Sequence, residues 1–246
     1  MRNPRFYLYL SILLVHFYTQ TAAQTVSQQA IWYGYNIRSS LTEKWYNETE
    51  LMERHLINPF LQSQFFVRTR FHKNLNPNTN YGLGGSVFLF HHSVKSKFNQ
   101  PEFRPHGELN LRAKMGTMNL ENRFRGELRF FQNIDQQTEQ LENGHHFAAA
   151  RFRYRLQALF SILQWSKNKS LNFKVANEIM AMAGGQVNQM TFDQNRISAD
   201  LSIRFSPQMS LDLGYVNWHQ ARTQGGYLDQ HILRTVIKHQ LGTSKK

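Results

Sequence analysis

Cysteine is absent from all 246 residues. No disulfide can staple the fold, so stability has to come from a large core or from a membrane. Beyond the N-terminus there is no long hydrophobic run either, and nothing approaches the ~20 apolar residues that a spanning helix needs. If the chain enters a membrane, a closed β-barrel is the form left to it, because hydrocarbon satisfies no open sheet edge. Proline- or serine-rich tracts, charge blocks and fixed-period repeats are missing, which removes any signal for a linker and points to one domain. Acids are scarce: 16 Asp and Glu stand against 29 Lys and Arg, for a formal charge of +13.

The N-terminus carries its own signal. Met1 to Arg5 holds two arginines and no acid, and Phe6 to Tyr18 is apolar and aromatic apart from Ser11 and His16. Thr21-Ala22-Ala23 then places small residues before Gln24. This is the pattern of a secretory signal peptide, expected to be removed after Ala23; the alternative is an uncut anchor. Losing Arg2 and Arg5 lowers the charge to +11. The expected organisation is a signal peptide at 1–23, an extended segment at 24–40, a barrel at 41–242 and a tail at 243–246.

What the rest of the chain has in abundance is strict alternation. Glu108, Asn110, Arg112 and Lys114 alternate with Leu109, Leu111, Ala113 and Met115. Glu121, Arg123, Arg125, Glu127 and Arg129 face away from Leu120, Phe124, Leu128 and Phe130. Arg151, Arg153 and Arg155 alternate with Phe152, Tyr154 and Leu156, and Arg196 to Arg204 repeats the scheme. A period of two means strands with one polar and one apolar face. These runs exceed the ~5–6 residues usual in globular strands and match the ~9–11 of a tilted membrane strand.

Ten strands are predicted, at roughly 42–54, 60–73, 79–92, 106–116, 118–131, 147–160, 169–182, 194–206, 208–220 and 231–241. Short turns at 75–78, 115–118, 161–168 and 206–208 alternate with longer loops at 93–105, 132–146, 183–193 and 221–230. Short periplasmic turns, longer outer loops and an even strand number are the signature of a bacterial outer-membrane barrel. The fold class expected is therefore all-β, an antiparallel transmembrane β-barrel with both chain ends in the periplasm. Ile31, Tyr33, Tyr35 and Ile37 also alternate, so twelve strands is the alternative. Trp45, Tyr46, Trp165, Tyr215 and Trp218 fall near predicted strand ends and are read as interface aromatics.

The arginine ladder is the most informative cluster. Pairing 118–131 with 147–160 sets Glu127 opposite Arg151, Arg125 opposite Arg153 and Arg123 opposite Arg155, with Glu108, Arg112, Arg129 and Glu178 on the same polar face. In a membrane barrel that face points inward, because an arginine on the lipid face costs about 2–4 kcal/mol at the midplane. Like charges in register destabilise a sheet, so acids must come from elsewhere, with Glu48, Glu50, Glu178 and Asp200 as candidates. One reading of the ladder is a salt-bridged core filling a narrow lumen. The other is an anion-preferring passage, since arginine rings favour anions.

Chemistry-bearing motifs are few. Gly84-Gly85-Ser86-Val87-Phe88 fails the Gly-x-Ser-x-Gly pattern at its last position. Ser93 beside His91 and His92 has no acid placed to complete a triad. Adjacent histidines, as in His91-His92 and His145-His146, point to opposite faces of a strand and cannot easily share a metal. No catalytic residue, metal or cofactor is predicted. An outer-membrane lipid hydrolase and a soluble secreted β-protein binding acidic ligands remain as alternatives. The expected partners are outer-membrane lipid, the barrel-insertion machinery and an anionic ligand in the lumen, with no nucleic acid.

Several segments together resemble a known family. They are Ile31-Trp32-Tyr33, the strand Glu50 to Arg54, Glu-Leu-Asn-Leu-Arg at 108–112 and Arg-Phe-Arg-Gly-Glu-Leu-Arg at 123–129, followed by Arg-Phe-Arg-Tyr-Arg-Leu at 151–156 and Gly214-Tyr215. On these the chain resembles the outer-membrane family catalogued as domain of unknown function 2490, found largely in Bacteroidota-type bacteria, over about 28–241. The resemblance implies an outer-membrane barrel and lends no catalytic residues. One departure is the C-terminus: many outer-membrane barrels end on an aromatic strand residue, whereas this chain runs past Leu241 into Gly-Thr-Ser-Lys-Lys.

Overall fold

The computed structural model describes residues 25–91, 99–135, 138, 140–222 and 225–242. The expected signal peptide at 1–23 and tail at 243–246 lie outside the described residues. Eleven strands follow one another: β1 (Thr25–Ser40), β2 (Trp45–Leu56), β3 (Leu61–Asn76), β4 (Thr79–His91), β5 (Asn99–Met115), β6 (Met118–Asp135), β7 (Gln140–Ser166), β8 (Lys169–Gly184), β9 (Val187–Arg204), β10 (Met209–Ala221) and β11 (Tyr227–Leu241). Each pairs with its sequence neighbour, and β1 closes the barrel against β11.

The expected count of ten is off by one, and twelve is not reached either. Residues 25–40 are neither a loose extension nor half of a further hairpin; they are a full strand, antiparallel to β2 and parallel to β11. An up-and-down barrel with an odd number of strands has its first and last strands running the same way, so the seam must be parallel. That removes the parity argument and also the expected placement of both ends on one side. Thr25 pairs with Tyr227 and Ser39 with Leu241, so the described chain starts at one rim and finishes at the other.

Two rims can be defined from this. At the first, β1 leads to β2, β3 to β4, β5 to β6, β7 to β8 and β9 to β10; at the second, β2 leads to β3, β4 to β5, β6 to β7, β8 to β9 and β10 to β11. The long loops expected at the second rim are mostly strand. Residues 132–135 and 140–146 prolong β6 and β7, with Ile134 paired to Leu141, and 183–193 shrink to a turn at Gly184 and Gly185, both with positive φ. Pro101 and Pro105 disguised the start of β5, since proline lacks the N–H of a regular ladder. They sit in β5 opposite Leu89 and Gly85, and the ladder to β6 skips from Phe103 to His106.

Burial alternates along the middle of strands such as β3, β5 and β11, and polarity is inverted relative to a soluble protein. Side chains that point out are apolar and bare: Leu83 is 64% exposed, Ile197 56%, Phe152 51% and Leu233 60%. Those that point in include Arg125, Glu127, Glu102 and His72, all nearly inaccessible. The buried apolar cluster is small and lies inside one wall of the barrel, formed by Ala30, Trp32, Met52, Phe66, Phe88, Val216, Ile232 and Val236. Glycine makes room on the inward face. A Cβ on Gly214 would lie 2.0 Å from an Asp200 carboxylate oxygen, and one on Gly82 would lie 2.7 Å from the His72 ring.

The parallel seam is testable, and the chain's lack of cysteine makes the test clean. Ser27→Cys with Asp229→Cys is expected to form a disulfide on mild oxidation, because those residues are cross-strand partners. Ser27→Cys with Leu241→Cys is expected to stay reduced. Cross-linking of the second pair instead of the first would mean that β1 is not seated as described.

Candidate functional site: an ion-paired lumen with one open chamber

The inward faces of β5 to β8 carry the ladder. Glu127 pairs with Arg151, Arg125 with Arg153 and Arg123 with Arg155, the register read from the alternation. Stacked guanidiniums in register are tolerated because carboxylates bridge between them. Arg125 Nε donates to Glu108 at 2.7 Å and its Nη1 lies 3.4 Å from Glu127. Arg153 donates to Glu127 at 2.7 Å and to Glu178 at 2.8 Å, while Arg123 reaches Glu178 over β7 at 2.6 Å. Glu121 takes Arg155 at 2.7 Å and Arg112 at 3.2 Å. Glu102 is fully buried between Arg104 and Arg129, both at 2.6 Å.

All ten residues expected in the ladder, Glu108, Arg112, Arg123, Arg125, Glu127, Arg129, Arg151, Arg153, Arg155 and Glu178, therefore face the lumen. The expected donors of compensating charge fare less evenly. Glu178 serves the ladder, but Glu50 holds Arg68 at 3.1 Å, Glu48 holds Arg70 at 3.3 Å and Asp200 holds Arg234 at 2.7 Å. Arg151 is met by Asp193 at 2.8 Å, an acid that sequence reasoning missed. It also missed Asp212, shared by Lys174 and Lys238, and the Glu102 pair. The even-numbered run Arg68, Arg70, His72 was a usable signal for β3. The Glu102 pair lay in a segment read as loop.

The five expected interface aromatics do not share one setting. Trp45 and Trp165 are exposed and stand near the first rim, and Tyr215 is exposed in mid-strand, bonded to His231. Tyr46 and Trp218 point the other way, which corrects their assignment. Tyr46 follows Trp45 directly, so it must face the opposite side; it is buried against His72, ring centroids 4.7 Å apart, with Arg38 above it at 3.8 Å. Trp218 packs edge-on against Trp32 at 5.6 Å inside the lumen.

The lumen is closed toward the second rim. Ala30, Arg54, Phe66, Phe88, Glu102, Glu127, Arg151, Met180, Gln194, Val216 and Ile232 come one from each strand, and each is less than one-tenth exposed. Toward the first rim lies a chamber of about 490 Å³. Arg38, Arg112, Arg155, Arg204 and the turn residues Ser206, Pro207 and Gln208 surround its mouth, and Trp32, Arg54, Phe66 and Arg196 lie at its depth. His145 and His146 are strand residues of the β7 arm, not a loop pair, and His146 bonds Asn133 at 2.9 Å. Among the described residues, no three His, Asp or Glu side chains are placed to hold a metal.

A family model described as "Protein of unknown function (DUF2490)" matches residues 29–237. The chain belongs to this family. No curated protein matches it. Two solved structures are similar to this DUF2490 barrel in shape. LpxR from Salmonella typhimurium is 10% identical, over 80% of this chain and 83% of that one, with a TM-score of 0.46. A NanC porin is 10% identical, over 82% of this chain and 94% of that one, with a TM-score of 0.48. Neither likeness bears on what the DUF2490 barrel does.

The lumen predicts a graded response to loss of its acids. Glu127→Gln leaves Arg125 and Arg153 short of a buried counter-charge and is expected to cost about 3–5 kcal/mol. Glu121→Gln, in the wetter part of the ladder, is expected to cost less than about 1 kcal/mol. Urea unfolding of the refolded barrel measures both, and equal losses would contradict the closed, low-dielectric interior.

Proposed function

We propose that this DUF2490 barrel spans the bacterial outer membrane and that its ion-paired lumen is a structural core, not a through-passage. The observation that carries the membrane setting is the outer face. Every strand presents at least one large apolar side chain to the outside, among them Tyr33, Phe71, Val87, Phe124, Ile179, Ile197, Leu213 and Leu233, all exposed. Soluble monomers rarely bare contiguous apolar patches above a few hundred Å², and a belt around a closed barrel is what hydrocarbon requires. The export pattern at residues 1–23 supports the same destination, reached through the barrel-insertion machinery.

The closed half supports the second part of the reading. A ring of inward side chains drawn from all eleven strands is shielded from solvent. Moving an ion through it would mean displacing Glu102 and Glu127, each carboxylate bonded to two guanidiniums. The chamber at the first rim is then a blind vestibule with an excess of basic side chains, open to ligand from one side only.

The expected behaviour of the refolded protein is insertion into liposomes that resists carbonate, slower or faster gel mobility before boiling than after it, and no step conductance in planar bilayers. Leu201→Arg, on the outer face, is expected to destabilise the inserted barrel by about 2–4 kcal/mol if it lies at mid-membrane depth. A protein that stays soluble without detergent would defeat the membrane setting; discrete conductance steps would defeat the closed lumen alone.

A further inference from the structure

The ion pairs of the lumen leave two inward cations out. Nearly every other inward guanidinium below the mouth has a carboxylate within 4 Å, but among the described residues neither Arg54 nor Arg196 makes such a contact. Arg54 is 7% exposed; its Nη1 donates to Gln64, and its Nε, buried, has no hydrogen-bond partner. The Nε of Arg196 is likewise unpartnered. Both side chains are held by aromatic faces instead. The Arg54 guanidinium carbon stands 3.8 Å from the Trp32 ring centroid and 5.8 Å from that of Trp218; for Arg196 the distances are 5.6 and 4.2 Å.

Two guanidiniums gathered on one tryptophan pair repel each other in a medium of low dielectric. Cation–π contact offsets part of that cost and fixes their planes, but it leaves the Nε–H of each without a hydrogen-bond partner. Both line the chamber that opens at the first rim. Planar, preorganised guanidinium forks are suited to anions that present two or more oxygens.

We propose that Arg54 and Arg196, on the Trp32–Trp218 shelf, form a binding subsite for an oxyanion group carried by a small molecule that enters from the first rim. The ligand is a phosphate or carboxylate compound small enough for the chamber, with an apolar part able to lie against Trp32 and Phe66. The inference rests on the blind chamber described above and not on the membrane setting, so it can be tested in detergent.

The test uses the full chain refolded in detergent. Trp45→Phe and Trp165→Phe remove the two outward tryptophans and leave Trp32 and Trp218 as the only indole reporters. Titration with inorganic phosphate, and separately with acetate, is compared with chloride at equal ionic strength. A saturable change in tryptophan emission with either oxyanion and not with chloride is expected. A stronger response to phosphate assigns a phosphoryl ligand; a response to acetate equal or greater assigns a carboxylate. Arg54→Gln and Arg196→Gln are each expected to weaken binding about tenfold or more, since charge-assisted bonds are lost, while Lys44→Gln, on a turn at the first rim, leaves it unchanged. Should either arginine variant fail to refold, the melting temperature of the unmutated barrel gives an independent reading, because a ligand that binds only the folded state raises it with concentration. Neither emission nor melting temperature moving with phosphate or acetate beyond the chloride control would overturn the proposal. So would an Arg54→Gln barrel that refolds and titrates like its parent.

Discussion

The ion-paired interior of this barrel is built around carboxylates shared between two cations. Glu102 between Arg104 and Arg129, Glu127 between Arg125 and Arg153, and Glu178 between Arg123 and Arg153 are the repeating unit. A buried carboxylate with one partner gains little over a hydrophobic pair, because desolvation offsets the attraction. Shared between two guanidiniums it does better, and it can join strands that are not neighbours in the sheet. Arg123 to Glu178 steps over β7, and Lys174 to Asp212 steps over β9. The lumen is thus cross-braced as well as filled, and guanidiniums such as Arg153 and Arg125 are in turn shared between two carboxylates.

The lumen is filled in two ways. On β5 to β8 the ion-pair network takes up the space. On the opposite wall, toward the second rim, it is taken by Trp32, Met52, Phe66, Phe88, Val216 and Ile232. Arg54 lies on the boundary between these two kinds of filling, packed over Trp32 and Phe66. The chamber opens on the side where neither filling is complete. Inward glycines complete the design: Gly214 beside Asp200 and Gly82 beside His72 leave volume that longer polar side chains from the next strand occupy.

Much of this was legible in the sequence because it is written in a period of two. The ladder from Arg123 to Arg155 could be placed in register from residue numbers, since strict alternation fixes both face and pairing. Other parts were hidden for physical reasons. Pro101 and Pro105 concealed the first turns of β5 and with them the Glu102 pair. The chain at 132–146 looked polar enough to be loop, yet a hairpin that extends past the barrel wall needs no apolar face. Cross-lumen partners such as Asp193 for Arg151 depend on how far the lumen narrows, which no local pattern records. The eleventh strand was visible as alternation at Ile31 to Ile37 and was set aside on a parity rule that holds only for barrels closed antiparallel.

The odd strand count has a geometric effect on the chain ends. In an even barrel the first and last residues meet at one rim, and a short peptide can join them to make a circular permutant. Here Thr25 and Leu241 sit at opposite rims, separated by the length of β11, whose 15 residues span about 50 Å. A loop joining them would have to run the full height of the barrel, outside through the apolar belt or inside through the ion pairs. Cargo placed at Thr25 is therefore held a full barrel height away from cargo placed at Leu241.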